Sequence, residues 1–141
     1  MVQDVRKDNA INNGLLDTYK LNPFLNKKLK NLSGGTRQKV NVVLFFMYNT
    51  PILIMDEPTA GLDPTSLIKL KDRIIKEKDS GKSVLLTTHI IPLVEEIADE
   101  IIFLLEGNIF YKGTWKELAE LKGEQGLERT IAKILEENQN A

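Results

Sequence analysis

Two runs decide the reading of this chain: Leu32-Ser33-Gly34-Gly35-Thr36-Arg37-Gln38, and then Ile52-Leu53-Ile54-Met55-Asp56-Glu57-Pro58. The first is a Ser-Gly-Gly loop at the head of a helical stretch. A helix start presents unpaired N–H groups and roughly half a positive charge, and glycines let an anion come close to the backbone. Alone, the triplet reads equally well as a serine cap behind a flexible loop. The second run places two adjacent carboxylates at the C-terminal end of an apolar strand, where open α/β sheets hold their ligands. Neighbouring strand residues point to opposite faces, so Asp56 and Glu57 cannot share one task. A bare Asp-Glu pair would read as a solvated acidic turn. His89, the single histidine, ends a further apolar strand; a lone histidine is ordinarily structural or exposed, but the spacing suits a βαβ unit.

Around these runs the pattern alternates. Ile11, Leu15, Leu16 and Tyr19 suggest a helix within Asp4 to Tyr19, broken by Asn22-Pro23, and Asn26–Asn31 reads as a basic linker. A helix is expected from Thr36 to Tyr48, apolar around most of its second half and so buried on all sides there. Ile52–Met55 is a continuous apolar run, as in a parallel strand covered on both faces. Asp63-Pro64 supplies an N-cap and first-turn proline for a helix that Gly81 ends. Strand Ser83–Thr88, a helix over Ile91–Ala98, strands Ile101–Leu105 and Ile109–Tyr111, and helices to Lys122 and over Leu127–Glu137 complete the order. Thr114 with Glu117 predicts a capping box. Strands alternating with helices mean an α/β fold.

Composition sets bounds. At 141 residues, with 42% apolar and 28% charged positions, this is one globular domain or less. The net charge of −1 offers no overall electrostatic reason to expect nucleic acid or an anionic membrane. The absence of cysteine excludes disulfides and thiolate metal sites. The longest apolar run, Val42–Tyr48, is far short of the roughly 18 residues of a membrane span. Met1–Ala10 is polar and charged, unlike a secretory signal. The expectation is a cytoplasmic chain without direct membrane insertion.

Taken together in this order and spacing, the runs resemble the ATPase subunit of ABC (ATP-binding cassette) transporters. The matching residues are the signature Leu32–Gly35 with Arg37-Gln38, the Walker B strand Ile52–Glu57, the D-loop Ala60-Gly61-Leu62-Asp63 and the switch Thr87-Thr88-His89. The resemblance implies part of a RecA-like P-loop NTPase parallel sheet, preceded by part of the helical subdomain. It assigns residues 1–35 to the helical (signature) subdomain, 36–113 to the RecA-like core and 114–141 to C-terminal helices. It implies ATP and Mg²⁺ as cofactors, with Ser33, Gly34 and Gly35 touching the γ-phosphate of ATP on a second subunit. Asp56 would serve magnesium through water, Glu57 would polarise the attacking water as general base, and His89 would sense the γ-phosphate. Asp63 would be both a helix cap and a dimer-contact residue. The implied partners are a second ATPase subunit and a transmembrane permease, which holds the chain at the inner face of the membrane; nucleic acid is not among them. Thr36 departs from the glutamine that many members carry.

No Gly-x-x-x-x-Gly-Lys-Ser/Thr loop and no glutamine loop precede the signature. Ser80-Gly81-Lys82-Ser83 mimics the end of such a loop, but Lys76 stands where its first glycine belongs, and the run follows a helix and starts a strand. The expectation is therefore a C-terminal portion of an ABC ATPase that cannot hydrolyse ATP alone. It could be a truncated piece, one fragment of a split subunit, or a non-catalytic chain supplying its signature in trans.

Overall fold

The computed structural model describes residues 14–139. Contacts divide the chain into two compact units that meet between Thr88 and His89. In the first, α1 (Leu15–Thr18) is a single turn; the rest of the helix expected from Asp4 lies outside the described residues. Two 3₁₀ turns follow, Asn22–Phe24 and Leu29–Asn31, so the basic linker is partly ordered into turns. Helix α2 (Gly34–Phe46) starts two residues earlier than expected, because Ser33 caps it through the Thr36 amide. Val42, Val43 and Phe46 are buried, while Leu44, Phe45 and Met47 are half-buried. The helix is thus less enclosed than its composition suggested.

Strand β1 (Ile52–Asp56) pairs in parallel with β2 (Ser83–Thr87), in a register that sets Asp56 opposite Thr87. Between them runs α3 (Pro64–Asp79), capped by Asp63 and packed on β2. Its apolar stripe buries Leu70 and Ile74, one helical turn apart. Gly81, at φ +86°, takes the left-handed turn that returns the chain to β2. Near the end of α3 the buried Glu77 is held by Arg73 and Lys82. Burial works to raise its carboxyl, but the two cations outweigh that and hold it below the ordinary carboxylate value.

The expectation that β1 is covered on both faces is corrected here. Leu53 and Met55 are 2% and 5% exposed, but Ile52 and Ile54 on the other face are 60% and 66% exposed. Leu85 of β2 is exposed as well. A continuous apolar run reports a strand with two apolar faces; it does not report whether both are covered.

The second unit begins with α4 (Ile91–Ile97). Strands β3 (Ile101–Leu105) and β4 (Asn108–Gly113) form an antiparallel hairpin. Its two-residue turn, Glu106-Gly107, has positive φ at both positions, the twist that a tight hairpin needs. The two strand pairs are separate sheets. Helix α5 (Trp115–Lys122) carries the expected capping box of Thr114 and Glu117 and ends at a left-handed Gly123. Helix α6 (Leu127–Gln139) is the last element among the described residues. Leu118, Leu127 and Ile134 form the core of this unit, with Phe103 and Trp115 packed against them. Trp115 is therefore a packing residue. Phe110 is only partly so: it meets Phe103 edge-on at 5.7 Å yet remains 42% exposed.

Candidate functional site

The first unit gathers the signature, the acidic strand end and the D-loop into one block. At the end of β1, Thr87 Oγ1 donates to Asp56 Oδ1 and accepts from the Glu57 amide at 3.1 Å. The same amide reaches the Thr87 carbonyl at 3.2 Å. Asp56 is thereby oriented through one of its two carboxylate oxygens. Glu57 has φ +44°, a left-handed conformation that costs a non-glycine residue about 1–2 kcal/mol. Such strain persists only where the surroundings over-determine it. Here Thr87 fixes the amide, and Gln38 fixes the turn beyond. The Gln38 side-chain amide donates to the Pro58 carbonyl at 2.9 Å and to that of Glu57 at 3.4 Å.

The start of α2 is bolted to the same turn at two more points. A side chain on Gly35 would place its Cβ 2.8 Å from the Gly61 carbonyl oxygen. Lys39 pairs with Asp63 at 2.6 Å. Asp63 also caps α3, accepting from the Ser66 amide at 2.9 Å and the Ser66 hydroxyl at 3.0 Å. The Lys39 ammonium first, and the Ser66 donors after it, hold the Asp63 carboxyl well below the usual carboxylate range. Asp63 thus performs the capping task read from its sequence.

The two signature glycines do different work. Nothing lies within 4 Å of where a Gly34 side chain would stand, so its surface is open. Gly35 is glycine because the D-loop backbone occupies its side-chain space. The Ser33 hydroxyl accepts from the Thr36 amide at 3.2 Å and shares a hydrogen bond with the Thr36 hydroxyl at 2.8 Å. The Gly34 and Gly35 amides, being the first of the helix, have no intrahelical acceptor. Thr36, counted above as a departure, therefore steadies the serine cap. His89 stands exposed two residues beyond Thr87 and opens the second unit. Among the described residues no cluster of three or more His, Cys, Asp or Glu could hold a metal. The donors fit magnesium only as an ion carried mainly by phosphate and water, which Asp56 reaches with one carboxylate.

Sequence reasoning quoted Gln38 and Thr87 without giving either a task. Their signals were present: an amide side chain one turn into the capped helix, and a hydroxyl in register with the strand-end aspartate. Neither could be read without the fold, because each acts on backbone or carboxylate atoms 19 to 31 residues away.

Residues 2–60 match the ABC transporter family, and the relatives found are ATP-binding proteins of that family. In sequence and in fold the chain is similar to the ATP-binding subunits of ABC transporters. It is 32% identical over 112 residues to the uncharacterized ABC transporter ATP-binding protein YhaQ of Bacillus subtilis, covering 79% of this chain and 38% of that protein. It is 36% identical to the phosphonates import ATP-binding protein PhnC 2 of a Synechococcus strain, over 79% of this chain and 44% of the relative. A solved ATP-binding subunit of an ABC transporter superposes with a TM-score of 0.80 at 30% identity, covering 87% of this chain and 52% of the other. A dimeric ATP-binding cassette in a post-hydrolysis state, bound to ADP and Pi, gives 0.63 at 29% identity, over 72% of this chain and 44% of that one. The chain spans less than half the length of these curated ABC relatives. Its fold is that of part of the ABC ATPase α/β domain, and no described helix is long and apolar enough to cross a membrane.

Proposed function

We propose that these residues are the signature-bearing portion of an ABC ATPase that couples ATP binding and hydrolysis to membrane transport. The observation that carries the reading is the block just described. One rigid turn joins the open Gly34 amide, the Asp56–Thr87 pair and the Glu57 backbone through Gln38, Gly35 and Lys39. In this reading Ser33 and the Gly34 and Gly35 amides face the terminal phosphate of ATP on a second subunit. Asp56, oriented by Thr87, serves the magnesium ion. That ion, when bound, neutralises phosphate charge. Glu57 is the base that polarises water, on a backbone that cannot relax away. His89 reads the state of the phosphate, and Asp63 joins the dimer contact. The natural assembly is a pair of ATPase subunits on a transmembrane permease, at the inner face of the membrane. Residues 1–35, 36–113 and 114–141 correspond to the helical subdomain, the RecA-like core and the C-terminal helices.

The 141 residues lack a phosphate loop, so alone they should bind ATP-magnesium at millimolar strength or not at all. The test is complementation. The chain is mixed with a full-length ABC ATPase subunit whose own signature is disabled, and ATP turnover is followed. Partial recovery is expected. Gly34→Asp should abolish it by putting a carboxylate in the open phosphate approach, while Glu57→Gln should leave it intact, because the competent site uses its own base. Recovery that survives Gly34→Asp would overturn the reading.

A further inference from the structure

The net charge of −1 conceals a segregation. Between Thr18 and Met55 there are six basic residues and no acidic one, leaving 13 basic against 20 acidic residues elsewhere. Half of that positive stretch is concentrated in Lys27, Lys28 and Lys30, all exposed. The same segment projects Leu25 and Leu29, 59% and 57% exposed, while Leu21 and Leu32 on either side are 2% and 8% exposed. The anchors therefore dock the segment, and the two leucines between them face outward. The backbone is ordered: the Phe24 amide bonds the Leu21 carbonyl at 2.9 Å, Lys27 that of Phe24 at 2.9 Å, and Leu32 that of Leu29 at 3.1 Å. Lys27 lies over the Phe24 ring at 5.2 Å.

We propose that residues 22–31 form a contact with an anionic lipid surface. A bilayer interface satisfies both halves of this chemistry at once. Headgroup phosphates and carboxylates take the ammonium groups, and the acyl boundary takes the leucines. An acidic protein tail would satisfy the lysines and leave Leu25 and Leu29 in water. Long lysine stems suit the boundary too, since they lie along apolar material with their heads in the wet layer. The contact is reversible and salt-sensitive, because it rests on few charges and two shallow apolar side chains. It revises the inference drawn from net charge alone: distribution, not the sum, sets the local field. The proposal does not depend on the nucleotide chemistry of the signature.

Flotation of the full 141-residue chain with vesicles tests it, comparing mixed phosphatidylserine–phosphatidylcholine vesicles with pure phosphatidylcholine. Binding is expected only to the anionic vesicles and should fall as salt rises. Lys27→Glu/Lys28→Glu/Lys30→Glu should weaken it about a hundredfold, at roughly fivefold or more per charge. Leu25→Ser/Leu29→Ser should weaken it about tenfold. Lys27→Gln/Lys28→Gln/Lys30→Gln should fall between wild type and the glutamate triple variant. All five positions are exposed, so circular dichroism should be unchanged. Absence of binding, equal binding to neutral vesicles, or indifference to the lysine variants would overturn the proposal. So would an unchanged leucine variant together with full competition by polyglutamate, which would give the surface to an acidic protein segment.

Discussion

The hairpin unit and the signature block are built on opposite plans. In the hairpin unit, β3 and β4 are joined by two residues, α5 carries its own capping box, and α6 closes on Leu118. The Leu127 amide donates to the Glu95 carboxylate at 2.6 Å, across 32 residues, and ties α6 to α4. Apolar packing holds this unit, and local sequence directs it. The signature block depends instead on a few polar and steric contacts between distant segments: Gln38 with Pro58, Gly35 with Gly61, Lys39 with Asp63, Thr87 with Asp56. Each is weak alone, and none is visible as a periodic pattern. A stable shell can be built from repetition, whereas a site needs single contacts at single atoms.

The largest effect should come from cutting the hairpin core. Leu127→Ala removes a side chain 1% exposed and should cost about 3 kcal/mol, within the range for buried leucines. Urea unfolding followed by Trp115 fluorescence would read it. A cost under about 1 kcal/mol would mean that the core collapses around the gap, and that the contrast between the units is false.

The next test separates the two glycines. Gly35→Ala drives a methyl against the Gly61 carbonyl, and backbone on both sides leaves little room to yield, so it should cost about 2 kcal/mol. Gly34→Ala meets nothing and should change stability by less than about 1 kcal/mol. Thermal denaturation of the pair decides. Equal losses would show that the close approach is not what selects glycine at position 35.

Gln38→Ala should cost about 1 kcal/mol, one net hydrogen bond, and loosen the turn after Glu57. Faster amide exchange at Ala60 and Leu62, whose amides bond the Glu57 and Thr59 carbonyls, would confirm where the loss falls. Exchange left unchanged there would remove Gln38 from the account of the turn. In the hairpin, Glu106→Asn should stabilise by roughly 0.5 kcal/mol, because asparagine tolerates the left-handed first turn position better than glutamate. No gain in chemical-denaturation midpoint would count against the turn as a source of strain.

The finest test is pH. Asp63 has a folded-state pKa below its unfolded value. Its contribution is therefore fully present above the unfolded carboxylate pKa, about 4, and is lost as pH falls from there toward the folded value. Asp63→Asn, which keeps a capping side chain but cannot pair with Lys39, should lower stability near neutrality and flatten the slope below about pH 4. An unaltered acid slope would show that the Lys39 pair does not hold Asp63 in solution.

Much of the fold was legible without the structure, for local reasons. Asp63-Pro64, Gly81, and Thr114 with Glu117 are caps and stops whose chemistry acts within three or four residues, and all three stand where read. The strand-end carboxylates and the Ser-Gly-Gly helix start were also legible, because each is a contiguous run. Coverage was not. Ile52 and Ile54 read as buried and are exposed, since an apolar side chain carries no record of what lies against it. Nor could the sequence tell Gly34 from Gly35, or assign Gln38 and Thr87. Those distinctions arise where segments far apart in the chain come within about 3 Å of each other, a distance at which one carbonyl oxygen or one hydroxyl proton decides what a residue does. Sequence alone determined the elements and their chemistry-bearing ends. Tertiary structure decided which residue is left open and which faces the protein, because only the folded chain brings those atoms within contact range.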